Sequence, residues 1–462
     1  MKIRFHGAVQ TVTGSLHIIE TARGETVFLD CGLFQGRRAE SRERNEKFPV
    51  PAHKVDAVVL SHAHMDHVGN LPTWVSKGLK CAVYATGATV DLAAMMMADS
   101  AKIQEHDAAY FNKKNPNMEK IEPMYRSEHA EAATKMLRGV NYREWFEVRP
   151  GLRAFYHDTG HILGSASITL EEKFNGMTKR LVFTGDIGRA DSPILRDPEP
   201  PSAGADAVIS ESTYGDRDHP PQEELEGKLL SLLDRTFKRG GRVIIPAFAL
   251  GRTQSLMVAL RNLQRQDKLP MVPVYVDSPL ACNATDVFSR HPECYDRDSM
   301  EVLRKEGSLF ALDGYSCLRD ASDSKALNHR KEPSIIIAAS GMCEAGRILH
   351  HLENNIEDTR NTILIVGYQA EHTLGRKLVE GMKEVRIYGM TRQVKAEVAV
   401  INGFSAHAGQ SELRSYLEQC RPNGPIFLVH GDPPKQAVFK KHLMDHGFTE
   451  PRIPVVGDTY QL

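Results

Sequence analysis

The sequence lacks the features that mark several specialised classes of protein. Its seven cysteines are odd in number and form no CxxC pair, which argues against a disulfide framework or a cysteine-rich zinc module and favours reduced, cytosolic thiols. No apolar run approaches the roughly 18 residues that a transmembrane helix needs, and the first ten residues have no signal-peptide core. These absences predict a cytoplasmic protein without a membrane partner.

An excess of either charge is also missing. The chain has 58 Lys and Arg against 59 Asp and Glu, a net charge of −1, so it has no general basic coat. If the protein binds a polyanion such as a nucleic acid, the binding must therefore depend on local clusters of positive charge. With 462 residues, 41% of them hydrophobic, the chain is expected to fold as a globular protein with two or more cores.

Short apolar runs rich in β-branched residues recur along the chain, and a polar or glycine-rich loop follows each. We predict buried strands at 55–60, 181–184, 207–210, 242–245, 334–339, 362–366 and 425–429. Helices are predicted between them at 223–239 and 253–266, and the segment 95–137 is expected to be largely helical. This alternation indicates an α/β architecture.

The strongest motif, HxHxDH, follows the first of these strands. In an extended loop His62 and His64 point the same way and can share one metal ion. Asp66 and His67 come where the chain turns into a helix and can serve a second ion. Imidazole with carboxylate suits Zn²⁺, with Mn²⁺ or Fe²⁺ as alternatives. A purely structural role is disfavoured, because ionisable residues at a buried strand end are costly without a partner.

Later strand ends supply further ligand candidates. His161 stands in HDTGH and Asp186 in FTGD. Each alone fits a structural role, as a turn cap or an Asx turn. Beside HxHxDH, both are predicted to bind metal, and Asp186 is placed to bridge two ions.

Three predicted strand-to-helix turns each carry glycine and arginine. They are 247–254 (AFALGRTQ), 340–347 (SGMCEAGR) and 367–376 (GYQAEHTLGR). A helix N-terminus favours phosphate, and Arg252, Arg347 and Arg376 would add charge-assisted bonds. Ordinary helix-start chemistry remains the alternative.

Together these motifs resemble an ordered set found in a known family. Asp30 in FLDCGLFQG, the HxHxDH run and the two later ligands are similar to the motifs of the metallo-β-lactamase fold. Glu211 in SESTYG, His407 in FSAHAG and His430 in LVHGD resemble the extra motifs of its β-CASP branch, whose members are nucleases. The resemblance covers about residues 3–460.

The resemblance implies an αββα metallo-β-lactamase sandwich with an inserted α/β β-CASP domain. The sandwich would be formed by residues 1–211 and 393–462, and the β-CASP domain by residues 212–392.

The resemblance also implies the roles of the site residues. Two Zn²⁺ ions per chain are expected, with Mn²⁺ as an alternative. One ion would be held by His62, His64 and His161, and the other by Asp66, His67 and His430, with Asp186 shared. The predicted catalytic residues are Asp66, His407 as general acid and Glu211, which would hold His407, while Asp30 would orient the metal-binding loop. The predicted substrate-binding residues are Arg252, Ser340, Arg347, Thr373 and Arg376.

The implied activity is hydrolysis of RNA by a hydroxide held between two metal ions. His430 favours RNA, because DNA-repair members of the branch typically have valine there. The expected partner is single-stranded RNA, with a homodimer or an RNA-processing partner as further candidates. The alternatives are a thioester or lactone hydrolase on the same metals, a DNA-acting β-CASP nuclease and a non-catalytic scaffold. Internal cleavage and cleavage from the 5′ end both stay open.

Overall fold

The structure is a computed structural model that describes residues 1–36 and 38–462. Its chain divides into two compact units: Met1–Asp218 with His407–Leu462, and His219–Ala406. The domain boundaries at 212 and 392 stay predictions.

Two β-sheets form the centre of the first unit. Its strands are β1 (Lys2–Phe5), β2 (His17–Glu20), β3 (Thr26–Leu29), β4 (Ala57–Val59), β5 (Ala82–Thr86), β6 (Leu137–Val140), β7 (Trp145–Arg149), β8 (Leu152–Asp158), β9 (Ala166–Phe174), β10 (Met177–Phe183), β11 (Ala207–Ser210), β20 (Ile426–Leu428) and β21 (Thr459–Gln461). One sheet has the order β21-β1-β2-β3-β4-β5-β6 and the other β20-β11-β10-β9-β8-β7.

Helices cover the outer faces of both sheets of this unit. They are α1 (Arg38–Glu46), α2 (Met65–Val68), α3 (Leu71–Ser76), α4 (Gly87–Lys114), α5 (Ser127–Met136), α13 (Gln410–Cys420) and α14 (Pro433–Asp445). Alternation along β3 shows how the layers form. Val27 and Leu29 enter the core between the sheets, whereas the ring of Phe28 lies 4.9 Å from that of Trp74 on α3. The core between α13, α14 and the second sheet includes Phe439. The predicted αββα sandwich is confirmed.

The second unit is built on a parallel sheet beside a two-stranded hairpin. Its strands are β12 (Val243–Pro246), β13 (Val274–Val276), β14 (Tyr315–Cys317), β15 (Ile335–Ala338), β16 (Thr362–Ile365), β17 (Glu384–Ile387), β18 (Met390–Gln393) and β19 (Glu397–Val400). The parallel sheet has the order β14-β13-β15-β12-β16-β19, and β17 and β18 form the hairpin. Its helices are α6 (Gln222–Lys238), α7 (Arg252–Arg265), α8 (Pro279–Arg290), α9 (Arg297–Glu306), α10 (Ala321–Leu327), α11 (Ile348–Asn355) and α12 (Leu374–Val379).

Each strand and helix predicted from the sequence has a counterpart in the structure, and α4 and α5 account for most of 95–137. The expectation of reduced thiols throughout is wrong for one pair, because Cys282 and Cys317 form a disulfide across Cα atoms 6.0 Å apart. The two cysteines are 35 residues apart in the sequence, and no short motif predicts that they pair. Among the described residues, the helices are all too short or too polar to cross a bilayer.

Candidate metal centre

The candidate ligands of the first unit all follow strand ends. The HxHxDH loop comes after β4, His161 after β8, Asp186 after β10 and His430 after β20. In the second sheet β10, β11 and β20 are parallel neighbours, so their carboxyl ends lie at one edge. Short loops from that edge and from β4 bring residues from distant parts of the sequence into one cluster.

Four of these side chains form the first group. One ligand atom from each of His62, His64, His161 and Asp186 lies within 4.8 Å of the others. His64 Nδ1 is 3.1 Å from His62 Nε2 and 3.2 Å from His161 Nε2. Asp186 Oδ2 is 3.5 Å from His62 Nε2 and 3.4 Å from His161 Nε2. Ligands placed tetrahedrally around zinc are separated by about 3.4 Å. The observed spacing therefore fits a zinc-sized ion.

A second group lies beside the first. Ligand atoms of Asp66, His67 and His430 also lie within 4.8 Å of one another. His67 Nε2 is 3.3 Å from His430 Nε2, which is 3.4 Å from Asp66 Oδ2. Asp186 Oδ1 is 3.4 Å from His67 Nε2 and 3.6 Å from His430 Nδ1. The two oxygens of Asp186 thus face different groups, as a carboxylate shared by two ions would.

Burial keeps two imidazoles of the first group in the form that binds metal. It lowers the pKa of His62 well below its usual range, and the neighbouring His67 lowers it further. Burial also lowers the pKa of His64 to about 4. Both rings are therefore neutral near pH 7, and their nitrogen lone pairs can bind a cation.

Asp30 orients the HxHxDH loop and lies behind it. Its Oδ2 is 2.7 Å from His67 Nδ1 and accepts a hydrogen bond from the Ser15 hydroxyl. The Ser61 amide donates to Oδ1 at 2.7 Å and its hydroxyl to Oδ2 at 3.0 Å. Asp30 has a φ of 61°, in the left-handed region, which is strained for a residue other than glycine. This arrangement fixes the ring of His67 with Nε2 directed at the second group.

His407 and Glu211 lie together at the same edge. His407 Nδ1 is 3.2 Å from both carboxylate oxygens of Glu211, and its Nε2 is 3.9 Å from Asp186 Oδ2. Glu211 is buried and accepts hydrogen bonds from the amides of Ile187 and Thr213, which hold it in place. Burial alone would lower the pKa of His407, but Glu211 and Asp186 outweigh it and raise the pKa to about 9. The two carboxylates therefore favour the protonated form of His407.

Supporting side chains of this site escaped the sequence analysis. The hydroxyl of Ser61 bridges Asp30 and His62 Nδ1, at 3.0 Å from each. Thr213 Oγ1 lies 3.0 Å from His430 Nδ1 and donates to the carbonyl of His430 at 3.1 Å. The only sequence signal for them is their position, because each hydroxyl stands one or two residues from a predicted site residue.

The five predicted substrate-binding residues all lie in the second unit. Two of its three Gly–Arg turns use their arginines in ion pairs. Arg347 donates to Asp277 Oδ1 at 2.6 Å and to the carbonyls of Leu318 and Arg319. Arg376 pairs with Glu380, one turn along α12, at 2.7 Å. A substrate role for Arg347 or Arg376 stays a prediction, and the structure shows an internal role for each.

The other three have local contacts. A guanidinium nitrogen of Arg252 donates to the carbonyl of Val366 at 2.5 Å. Ser340 Oγ accepts hydrogen bonds from the amides of Glu344 and Ala345, and Thr373 caps α12. The structure accounts for these residues as turn and cap residues, and their binding role also stays a prediction.

Three family descriptions match successive parts of the chain. Residues 18–181 match the metallo-beta-lactamase superfamily domain, 253–378 the Beta-Casp domain and 391–454 the Zn-dependent metallo-hydrolase RNA specificity domain. The order agrees with a sandwich interrupted by an insert.

Similar proteins come from bacteria and archaea. A protein of Thermus thermophilus named as a ribonuclease is 36% identical over 447 residues, which cover 97% of each chain. An RNase J-like protein of Methanocaldococcus jannaschii is 31% identical over 93% of this chain and 92% of its own. The transcription termination factor FttA of Methanosarcina mazei is 31% identical over 92% of this chain, which spans 66% of that longer protein.

Proposed function

Because this chain belongs to the β-CASP branch of the metallo-β-lactamase superfamily, we propose that it is a metal-dependent ribonuclease that hydrolyses RNA phosphodiester bonds. The observation that carries the proposal is the pair of ligand groups on either side of Asp186, with His407 and Glu211 beside them. This combination provides both metal ligands and a proton donor, which hydrolysis of a phosphodiester requires.

We propose Zn²⁺ as the metal, with two ions per chain. His62, His64 and His161 would hold one ion, Asp66, His67 and His430 the other, and Asp186 would be shared. Bound divalent ions of this kind lower the pKa of water and neutralise charge on phosphoryl oxygens. The set of imidazoles and carboxylates suits zinc, and Mn²⁺ accepts the same ligand types.

The chain's own residues would supply the proton for the leaving group. Glu211 favours the protonated form of His407 and fixes Nδ1 so that Nε2 stays directed at the site. We assign His407 as the general acid that protonates the departing 3′ oxygen, which leaves a 5′-phosphate on the other product. Glu211 positions His407 and does not itself touch substrate.

Single-stranded RNA is the proposed substrate, because flexible phosphodiesters can enter a site that is lined by short loops. The match to an RNA specificity domain favours RNA over a thioester or lactone. The relatives named as ribonucleases favour RNA over DNA as the substrate. A homodimer or an RNA-processing partner stays a prediction.

The test uses one RNA labelled separately at its two ends. The purified protein is expected to cleave it, a chelator to abolish cleavage, and added Zn²⁺ or Mn²⁺ to restore it. Parallel assays with single-stranded DNA and with a thioester control for the alternatives. Faster turnover of the thioester than of RNA, or cleavage that persists after complete metal removal, would contradict the proposal. Comparison of linear and circular forms of the RNA would separate internal from 5′-end cleavage.

A further inference from the structure

Two large aromatic side chains are exposed at one edge of the parallel sheet in the second unit. Phe248 is 42% exposed and Tyr368 52% exposed. Phe248 is the second residue after β12, and Tyr368 is the third after β16. These strands are parallel neighbours, with Ile244 paired to Ile363, so both aromatic residues leave the sheet at its carboxyl edge.

Both of the loops that carry them lie against the loop after β15. Gly341 follows β15, the other neighbour of β12, and a Cβ at Gly341 would lie 3.0 Å from a ring carbon of Phe248. A larger residue at 341 would require the ring to move by a few tenths of an ångström. The amide nitrogen of Gln369 donates to the carbonyls of Gly341 at 2.9 Å and Gly367 at 3.2 Å. Gln369 is buried and directly follows Tyr368, so the loop that carries Tyr368 is fixed to the loop that Phe248 packs against.

Positive charge around these loops is largely used within the protein. Arg347 is bound to Asp277 and two carbonyls, Arg376 is paired with Glu380, and Arg252 donates to Val366. The chain as a whole carries no excess of basic residues. Phosphate contacts at this edge are therefore expected to be weaker than the arginine count suggests. A single exposed aromatic residue needs no explanation, but two at the same edge of one sheet, on loops that both contact the loop after β15, are a candidate binding surface.

We propose that Phe248 and Tyr368 form a base-stacking platform for single-stranded RNA. The proposal rests on the proposed ribonuclease function and adds to it how the chain holds its substrate. Aromatic rings stack on any base, because every base has a π-face, so the platform binds without sequence preference. Stacking also depends little on salt, unlike binding through phosphates.

The experiment measures binding of the full-length, metal-loaded protein to two fluorescent probes. One is a 12-nucleotide oligoadenylate, and the other is an abasic sugar–phosphate oligomer of the same length. Every protein carries His407→Ala, so that the probe is not consumed. Phe248→Ala and Tyr368→Ala are each expected to weaken oligoadenylate binding about 5- to 100-fold and to leave abasic binding unchanged. Phe248→Trp and Tyr368→Phe are expected to retain binding.

The control is Tyr388→Ala in the same unit, because Tyr388 is 51% exposed in the turn between β17 and β18. Tyr388→Ala is expected to bind both probes as tightly as the parent protein, which carries His407→Ala alone. In a salt series, the alanine variants of Phe248 and Tyr368 should lose affinity with no change in the slope of log K against log salt. A circular dichroism melt shows that each variant is folded.

Two outcomes would overturn the platform. One is equal binding of oligoadenylate by the parent and both alanine variants. The other is an equal loss for the abasic probe. Cleavage of RNA is measured separately on proteins that keep His407. If they cleave RNA although one of these outcomes is found, the proposed ribonuclease function is retained and only the platform is rejected. If the wild-type protein neither binds nor cleaves RNA, both proposals fall together.

Discussion

The metal-ligand cluster of the first unit and the Gly–Arg turns of the second unit use similar loops in opposite ways. Both are short segments at the carboxyl ends of strands. In the first unit the imidazoles of His62, His64 and His161 converge, with ring nitrogens 3.1 and 3.2 Å apart. In the second unit the charged groups of Arg347 and Arg376 already have partners.

The contrast distinguishes side chains whose arrangement suits a bound metal ion from arginines that could bind phosphate by type but already have partners within the protein. Imidazoles whose ring nitrogens lie a little over 3 Å apart have the spacing of ligands around a shared cation. A guanidinium bound to a buried carboxylate is already satisfied. We therefore give functional weight to the first pattern and structural weight to the second.

The largest effect is expected from the carboxylate that both ligand groups share. Asp186→Asn should reduce RNA cleavage by about 10⁴-fold or more, because stabilisation from both ions depends on this residue. Elemental analysis should show a loss of bound metal. Asp191→Asn changes an exposed aspartate five residues along and is the matched control, with full activity expected. An Asp186→Asn protein with normal metal content and normal cleavage would contradict the assignment of Asp186 as a ligand that both ions share.

His407→Ala should reduce cleavage by about 10³-fold and leave the metal content unchanged, because it removes a proton donor and not a ligand. The measurement pairs a rate assay with elemental analysis. His446→Ala serves as a control, since His446 is exposed. Loss of metal together with activity would show that His407 is a ligand and that the general-acid assignment is wrong.

Asp30→Asn should weaken zinc affinity or cleavage by about 10- to 100-fold, because the ring of His67 loses the carboxylate that orients it. The amide keeps the shape of the side chain, and a circular dichroism melt shows whether the variant is folded. Competition with a zinc chelator measures the affinity. Unchanged affinity and rate would mean that Ser61 and the loop alone hold His67.

Arg347→Met should have the smallest effect on cleavage and a large effect on stability. Asp277 is fully buried and receives hydrogen bonds from Arg347, His351 and Ser324. Removal of Arg347 leaves part of that charge uncompensated, at a cost of about 3 kcal/mol in the free energy of unfolding. Chemical denaturation measures it, and RNA affinity should change less than about threefold.

Arg360→Met is the control for this variant, because it removes an exposed ion pair with Asp358 in the same unit and should have little effect on stability. A stable Arg347→Met protein that binds RNA much more weakly would reverse our reading of the turn and restore Arg347 as a phosphate contact.

The sequence predicted the clustering of the candidate ligands better than the contacts of the second unit, for a physical reason. His62, His64, Asp66 and His67 lie within six residues, and local backbone geometry already brings them near one another. The positions of strands followed from apolar runs, and parallel strands place their loops at one edge. The convergence of His430 on Asp66, 364 residues earlier, came from the family resemblance and not from spacing.

Long-range pairings set the limit of sequence reasoning. Arg347 and Asp277 are 70 residues apart, and nothing near either residue predicts the pair. The disulfide between Cys282 and Cys317 and the bond between Thr213 and His430 are of the same kind. Such contacts depend on how strands are ordered in the sheet, which a single sequence does not state.

The most direct test of the two-ion site is a zinc titration of protein that a chelator has stripped of metal. Bound zinc is measured by elemental analysis, and cleavage of a fluorescent single-stranded RNA is followed in the same samples. We predict no cleavage by the stripped protein and a rise in rate that reaches its plateau as the second equivalent of zinc binds. Full cleavage without added metal, or a plateau with no zinc bound, would contradict the account.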